Sequence, residues 1–176
     1  MVDYDPAWPA VFEQLRARTW PAVSDFATGI EHVGSTAVPG LAAKPIIDMC
    51  VVVASEADVA RAIERLAPLG YRHLGNLDVE GREAFARPPD LPEHNMYVCL
   101  TGGLGLENQL AVRDYLRAHP EAAREYGELK RRLAKEFPND IESYVFGKTD
   151  LVMSILRQAG LRADQLEAIE RVNRRG

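Results

Sequence analysis

The chain has 176 residues, of which 47% are hydrophobic and 27% charged, which is typical of a soluble globular protein and predicts one domain over residues 1–176. Its formal net charge of -5 excludes a general binder of long nucleic acid, because such a protein needs a basic surface. No apolar run approaches the roughly 20 residues that cross a bilayer and the first residues lack signal-peptide features, so we expect a cytoplasmic protein without membrane association.

The first part of the chain, about residues 1–103, is predicted to be rich in strands. An amphipathic helix covers Pro6–Phe26, and we expect Pro21 to interrupt it because proline lacks a backbone N–H. Helical spacing of apolar residues predicts a second helix over Glu56–Leu66. Apolar runs bounded by turn residues predict five strands, at Thr28–Val33, Pro45–Val53, Tyr71–Leu74, Ala84–Ala86 and Asn95–Leu100.

The second part, about residues 104–176, is predicted to be helical. Proline and glycine residues separate its helical patterns, which cover Leu104–Ala118, Glu121–Phe137, Asn139–Ala159 and Ala163–Arg174. Because the strands gather in one part and the helices in the other, the pattern indicates an α+β fold, with a small mixed sheet packed against or capped by a C-terminal helical layer.

The two cysteines are predicted to be reduced. Cys50 and Cys99 both lie inside apolar runs and form no CxxC pair. Thiols in the core of the protein are therefore favoured over a disulfide or a zinc site.

Several charged side chains lie where the pattern otherwise places apolar ones. Asp48 is the single charge in the strand IIDMCVVV, and Lys148 lies at the centre of the apolar stripe of its helix. Lys130 and Arg113 flank the stripes of the two preceding helices. Buried charges need partners, so the three cations are predicted to converge on a ligand phosphate or on the Asp48 carboxylate. The simpler alternative leaves each cation in solvent or in an ordinary salt bridge, with Lys44 pairing Asp48.

A glycine-serine pair follows the first strand. Gly34 allows a sharp turn, after which backbone N–H groups and the Ser35 hydroxyl face an anion. Such turns are common, but here the lone acid Asp48 follows on the next strand. A magnesium ion held by that carboxylate would bridge to phosphates held by the turn.

Longer motifs give a more specific resemblance. The chain contains YDPAW at Tyr4–Trp8, EHVGSTAVPGLAAKPIID at Glu31–Asp48 and RDYLRAHPEAAREYGELKRRLA at Arg113–Ala134. With these motifs it resembles the GrpB family, a group of small bacterial proteins assigned to the nucleotidyltransferase superfamily. The resemblance covers about residues 3–157 and implies the nucleotidyltransferase-like fold.

The resemblance also implies site residues. In the superfamily the glycine-serine turn holds a triphosphate, while paired carboxylates and a third acid bind metal for nucleotidyl transfer. Asp48 matches the first carboxylate and would hold Mg²⁺ as the catalytic residue. The second carboxylate is replaced by Cys50, a poor magnesium ligand, and no clear third acid is present, so a standard two-metal site is not expected. The implied phosphate-binding candidates are Gly34, Ser35, Lys44, Arg82, His94, Arg113, Lys130 and Lys148.

Two functional hypotheses follow. The first is a nucleotidyltransferase-like domain that binds a nucleotide or phosphorylated small molecule with Mg²⁺, with nucleotidyl transfer as a further step. The alternative is a catalytically degenerate interaction or chaperone-like module that keeps only the fold and binds a protein partner. An open cleft shared by Ser35, Asp48 and Lys148 would favour binding of a small molecule, and a filled one would favour the module.

Overall fold

The structure is a computed structural model that describes residues 1–174. Two α-helices and five strands come first and are followed by four consecutive α-helices. In chain order the elements are α1 (Trp8–Val23), β1 (Gly29–Val33), β2 (Ile47–Val53), α2 (Glu56–Leu66), β3 (Arg72–Gly75), β4 (Arg82–Ala86), β5 (His94–Leu100), α3 (Leu104–Ala118), α4 (Pro120–Glu136), α5 (Ile141–Gln158) and α6 (Ala163–Asn173).

The strands form one mixed sheet in the order β1-β2-β5-β4-β3. β2 and β5 are parallel neighbours at its centre, and the other neighbouring strands are antiparallel. The predicted α+β class with a small mixed sheet is confirmed. β2 reads as a nearly continuous apolar run because both of its faces are covered, as is typical of a central parallel strand.

The two faces of the sheet carry different side chains. Because side chains alternate along a strand, Met49, Val51 and Val53 of β2 pack into the core beneath α1 and α2. Cys50 and Val52 instead pack on the other face, against α3. Asp48 shares this second face by the same alternation, and the site is built there.

The helices α3 to α6 form a layer with a core of its own. Leu116, Tyr126, Met153 and Leu156 are among its buried residues, and the segment after β1 contributes Leu41. The sheet and the helical layer thus bury separate apolar clusters, and a space remains between them. Within residues 1–174, every helix falls short of the length and apolar character needed to span a membrane.

The first helix continues through Pro21, so the predicted interruption is wrong. Pro21 lies inside α1, which ends two residues later at Val23. At this exposed position the missing N–H costs one hydrogen bond in the last turn. The buried contacts of Leu15 and Val23 with the sheet hold the helix on both sides of it.

The cysteines form a disulfide, so the prediction of reduced thiols is wrong as well. Cys50 on β2 and Cys99 on β5 are bonded through their sulfur atoms, with Cα atoms 6.4 Å apart. The two positions are 49 residues apart in the chain. Their contact depends on the parallel register of β2 against β5, which sequence spacing does not reveal.

Acid is expected to weaken this fold through His32. Its ring stacks on Phe12 with centroids 4.6 Å apart, and its Nε2 shares a hydrogen bond of 3.0 Å with Thr36 Oγ1. Burial lowers the pKa of His32 from 6.5 to about 4, and the positive charges of Arg117 and Arg113 add to the effect. Between pH 6.5 and 4, His32 is therefore protonated in the unfolded chain but neutral in the folded one. The free energy of unfolding consequently falls as the pH falls.

Urea unfolding at pH 7 and pH 4.5 measures this loss, with His32→Gln as the comparison. We expect the wild type to lose clearly more stability than the variant between the two pH values. Equal losses would show that other groups cause the acid sensitivity.

Candidate functional site

An open cleft lies between the sheet and the helical layer. Its main cavity of about 500 Å³ reaches from the turn after β1 to α3 and α5, and an adjoining cavity of about 240 Å³ extends to Lys44 and Tyr144. Ser35, Asp48 and Lys148 line both cavities. We call the two cavities together the cleft.

The turn after β1 packs directly against Asp48. Gly34 has φ 71° and ψ -171°, a combination that is essentially confined to glycine. A Cβ atom added at Gly34 would overlap Asp48 Oδ2 and lie 2.9 Å from Asp48 Cγ. The sequence therefore needs glycine here for two reasons, and the close approach places Ser35 beside the carboxylate.

Lys130 joins the helical layer to this turn. Its ammonium group donates hydrogen bonds to Ser35 Oγ at 2.7 Å and to the Ala42 carbonyl at 2.6 Å. The side chain is only 2% exposed, and burial lowers the pKa of Lys130 to about 7, with the positive charge of Lys148 acting in the same direction. A lysine that is hard to keep charged is suited to an anionic ligand, which would restore its charged form.

Asp48 is held by an amide rather than by a cation. Asn95, its direct neighbour on β5, donates from Nδ2 to Asp48 Oδ1 at 2.7 Å. Burial raises the pKa of Asp48, while the Asn95 hydrogen bond and the cations Lys148 and Arg82 oppose the rise. The alternative salt bridge between Lys44 and Asp48 does not occur among the ion pairs of residues 1–174. Lys44 is exposed, and its Nζ lies 5.6 Å from the centre of the Tyr144 ring.

Lys148 extends into the same space from α5. Its Nζ lies 5.3 Å from the centre of the Tyr144 ring. Burial lowers the pKa of Lys148, and the nearby Asp48 carboxylate partly offsets this. Lys130 and Lys148 thus converge on the cleft as the helical pattern predicted, while Asp48 faces them from the sheet.

Arg113 also lines the cleft, but its guanidinium group is already engaged. Nη1 donates to Glu31 Oε2 at 2.6 Å and to the His32 carbonyl at 3.0 Å, and Nε donates to Asp114 at 2.8 Å. These contacts tie α3 to β1. Arg113 therefore differs from Lys130 and Lys148, because its charge is already paired with acids. The helical pattern had grouped all three cations.

Arg82 lines the main cavity together with Tyr97 and Gln109, two residues that were not among the predicted site residues. Its guanidinium carbon lies 4.7 Å from the centre of the Tyr97 ring. Within the described chain, Arg82 Nε and Gln109 Oε1 are buried without a hydrogen-bond partner, and both side chains line the main cavity. Tyr97 and Asn95 alternate with the core residues of β5, which is the one sequence signal that could have placed them here.

His94 is buried in the core and does not line the cleft, where it was predicted to bind the ligand. Its Nε2 shares a hydrogen bond of 2.8 Å with the Tyr71 hydroxyl, and its Nδ1 shares one of 2.7 Å with the Pro92 carbonyl. It precedes Asn95 on β5 and so points to the opposite face of the sheet. Its ring is satisfied inside the core.

The residues present do not fit the predicted Mg²⁺ site. Cys50, at the second acidic position, is bonded to Cys99, and Asp48 is the only carboxylate among the described residues that line the cleft. Glu31 lies opposite Cys50 on β1 but is paired with Arg113. No group of three or more His, Cys, Asp or Glu side chains that could hold a metal ion occurs within residues 1–174.

A fold of this kind occurs in a nucleotidyltransferase. The structure matches a crystal structure of the Cid1 poly (U) polymerase described as MgGTP bound, with a TM-score of 0.55 and 17% sequence identity. The match covers 84% of this chain and 50% of that chain. The sheet and helical layer are therefore arranged as in nucleotidyltransferases, as the resemblance implied.

More similar proteins match along most of the chain. The UPF0157 protein YqkA from Bacillus subtilis (strain 168) is 35% identical over 149 residues, which are 85% of this chain but only 43% of that protein. The crystal structure of conserved protein GrpB from Enterococcus faecalis is 32% identical with a TM-score of 0.80, covering 90% of this chain and 95% of that chain. The family model described as GrpB protein matches residues 1–158. The chain belongs to the GrpB family.

Proposed function

We propose that the chain binds a nucleotide or another phosphorylated small molecule in the cleft between the sheet and the helical layer. The observation that carries this proposal is the open space shared by Ser35, Asp48 and Lys148. The interaction-module alternative predicted a filled space at the same place. Two cations on neighbouring helices, Lys130 and Lys148, supply the positive charge that a phosphate needs.

We propose binding without nucleotidyl transfer. Nucleotidyl transfer through Mg²⁺ at Asp48 requires further carboxylates, and the described residues that line the cleft supply none. The arrangement instead offers what binding requires: hydroxyl and ammonium donors, with the apolar side chains of Val145 and Val152 beside Lys148 on α5.

A module that binds a protein partner is the second candidate. The disulfide of Cys50 at the acidic position favours a family member without transfer activity. Ile141 and Phe146 on α5 are 68% and 56% exposed, and Ile141 also lines the cleft. This candidate predicts a folded protein whose cleft ignores phosphorylated compounds.

Calorimetric titration with ATP, GTP, CTP, UTP and inorganic tripolyphosphate separates the two candidates. We expect saturable binding of at least one compound by the wild-type protein. Lys148→Met is expected to weaken that binding at least about tenfold, because a hydrogen bond to a charged group contributes about 1.5–3 kcal/mol.

Lys135→Met is the matched control, since Lys135 is an exposed lysine on α4 outside the cleft. It should leave the dissociation constant unchanged. A wild-type protein that binds none of the five compounds, or equal effects of the two substitutions, would exclude the cleft as the site.

A further inference from the structure

We propose that the cleft binds phosphate groups directly, through Lys130, Lys148, Arg82 and the Ser35 hydroxyl, without a divalent cation. This inference rests on the proposed function and narrows it. The family resemblance implies a site in which Asp48 holds a metal ion. Here Asp48 instead balances the positive charge of the empty cleft.

The cleft has an excess of positive charge. One carboxylate, that of Asp48, faces the cations Lys130, Lys148 and Arg82. No salt bridge engages these three cations within residues 1–174. A divalent cation added to this set would be repelled, whereas a phosphate would neutralise it.

The surroundings of the Asp48 carboxylate also disfavour a metal ion. Oδ1 accepts a hydrogen bond from the Asn95 amide at 2.7 Å, and the N–H groups of an amide repel a cation placed beside them. Oδ2 lies against the Cα of Gly34, where even a methyl group would not fit. One lone pair of Oδ1 is therefore taken and Oδ2 is crowded on its Gly34 side, which makes Asp48 a poorer ligand for magnesium than an unengaged carboxylate.

Ser35 and Lys130 keep hydrogen-bond donors that no group of the described chain uses. The Ser35 hydroxyl oxygen accepts from Lys130, and its hydrogen has no acceptor within the described chain. The Lys130 ammonium group has three N–H donors, of which Ser35 and Ala42 take two. One O–H and one N–H therefore remain for a phosphate oxygen, beside the Lys148 ammonium group.

In this arrangement Asp48 balances the charge of the empty cleft and opposes the bound anion. A substitution that removes its charge should then strengthen phosphate binding. At a metal-dependent site the same substitution would remove a ligand of the metal and weaken binding. The two mechanisms therefore predict opposite signs for Asp48→Asn.

The test is calorimetric titration of the wild type and Asp48→Asn with inorganic tripolyphosphate and with ATP at pH 7, in EDTA and in excess MgCl₂. We expect the wild type to bind at least as tightly in EDTA as with magnesium. We expect Asp48→Asn to bind at least about fivefold more tightly in EDTA, which is the effect of one unit charge about 4 Å away even at the dielectric constant of bulk water.

Binding that requires magnesium and is lost in Asp48→Asn would overturn the inference while leaving the proposed function intact. Absence of binding by the wild type in both buffers would overturn both. The comparison of the two buffers uses the unmodified protein, so it remains decisive if the variant folds poorly. Thermal unfolding of the variant checks its fold.

Discussion

Replacing Gly34 with alanine is expected to lower the free energy of unfolding by about 3 kcal/mol or more. The backbone at Gly34 has φ 71° and ψ -171°, and this conformation destabilises a residue with a Cβ atom by about 1–3 kcal/mol. The new Cβ would also overlap Asp48 Oδ2, and overpacking of this kind costs a further 1–3 kcal/mol or so. Urea unfolding followed by circular dichroism measures the loss.

Gly40→Ala is the matched control for this prediction. Gly40 also has a positive φ, 78°, but nothing lies within 4 Å of an added Cβ atom. Its substitution should therefore cost only the backbone strain. Equal destabilisation by Gly34→Ala and Gly40→Ala would show that a Cβ atom at position 34 does not clash with Asp48.

The second large effect is expected on ligand binding, from Lys130→Met. Removal of a buried, hydrogen-bonded charge from a charged pair costs about 2–5 kcal/mol, so we expect the tightest-binding phosphorylated compound to bind at least about 30-fold more weakly. The loss should exceed that of Lys148→Met, because Lys148 is only partly buried whereas Lys130 is 2% exposed. Lys135→Met on the same helix serves again as the control.

The effect of Lys130 should depend on pH. Its pKa of about 7 in the free protein reflects burial first and then Lys148, with Arg131 in the same direction and Asp48 opposed. Anion affinity of the wild type should fall as the pH rises above 7, since an increasing share of the molecules must first take up a proton. The profile of Lys130→Met should lack this fall.

The same lysine gives an opposite trend in stability. An unfolded lysine keeps its proton up to about pH 10.5, so between pH 7 and 10.5 the unfolded chain binds more protons than the folded one. The free energy of unfolding of the wild type, relative to Lys130→Met, should rise across this window. Parallel profiles for the two proteins, in binding and in stability, would mean that Lys130 does not titrate there.

Much of the fold could be predicted because its signals are local. The predicted bounds of α2 and α3 are those of the structure. Ser55 caps α2 through a hydrogen bond from the Asp58 N–H, and Gly103 precedes α3. Such cap and turn residues act within a few positions of the helix end, so the sequence alone indicates them.

The contents of the cleft were only partly predictable because they depend on strand pairing. Lys148 was recognisable as a cation inside an apolar stripe, and it does reach the cleft. Asn95 and Tyr97 become neighbours of Asp48 and Cys50 only through the parallel register of β2 and β5. Without that register, His94 was as good a candidate as Asn95, although the two point to opposite faces of the sheet.

Arg113 illustrates a different limit of the sequence. Its position on the inner face of α3 was predicted, but its partner Glu31 lies 82 residues earlier in the chain. Whether a cation near a cleft is free for a ligand depends on which acid the fold brings to it. Composition and spacing contain no information on that point.

The hydrogen bond between Lys130 and Ser35 also bears on the order of folding. It joins residues that are 95 positions apart, and contacts between distant parts of a chain form late because closing the long loop costs entropy. The sheet with Asp48 and Arg82 precedes this contact in the chain and is complete by β5, whereas Lys130 and Lys148 belong to the later helices α4 and α5. A nascent molecule would therefore present Asp48 before the two lysines of the cleft have been added, and would gain most of its affinity for anions when α4 and α5 dock on the sheet.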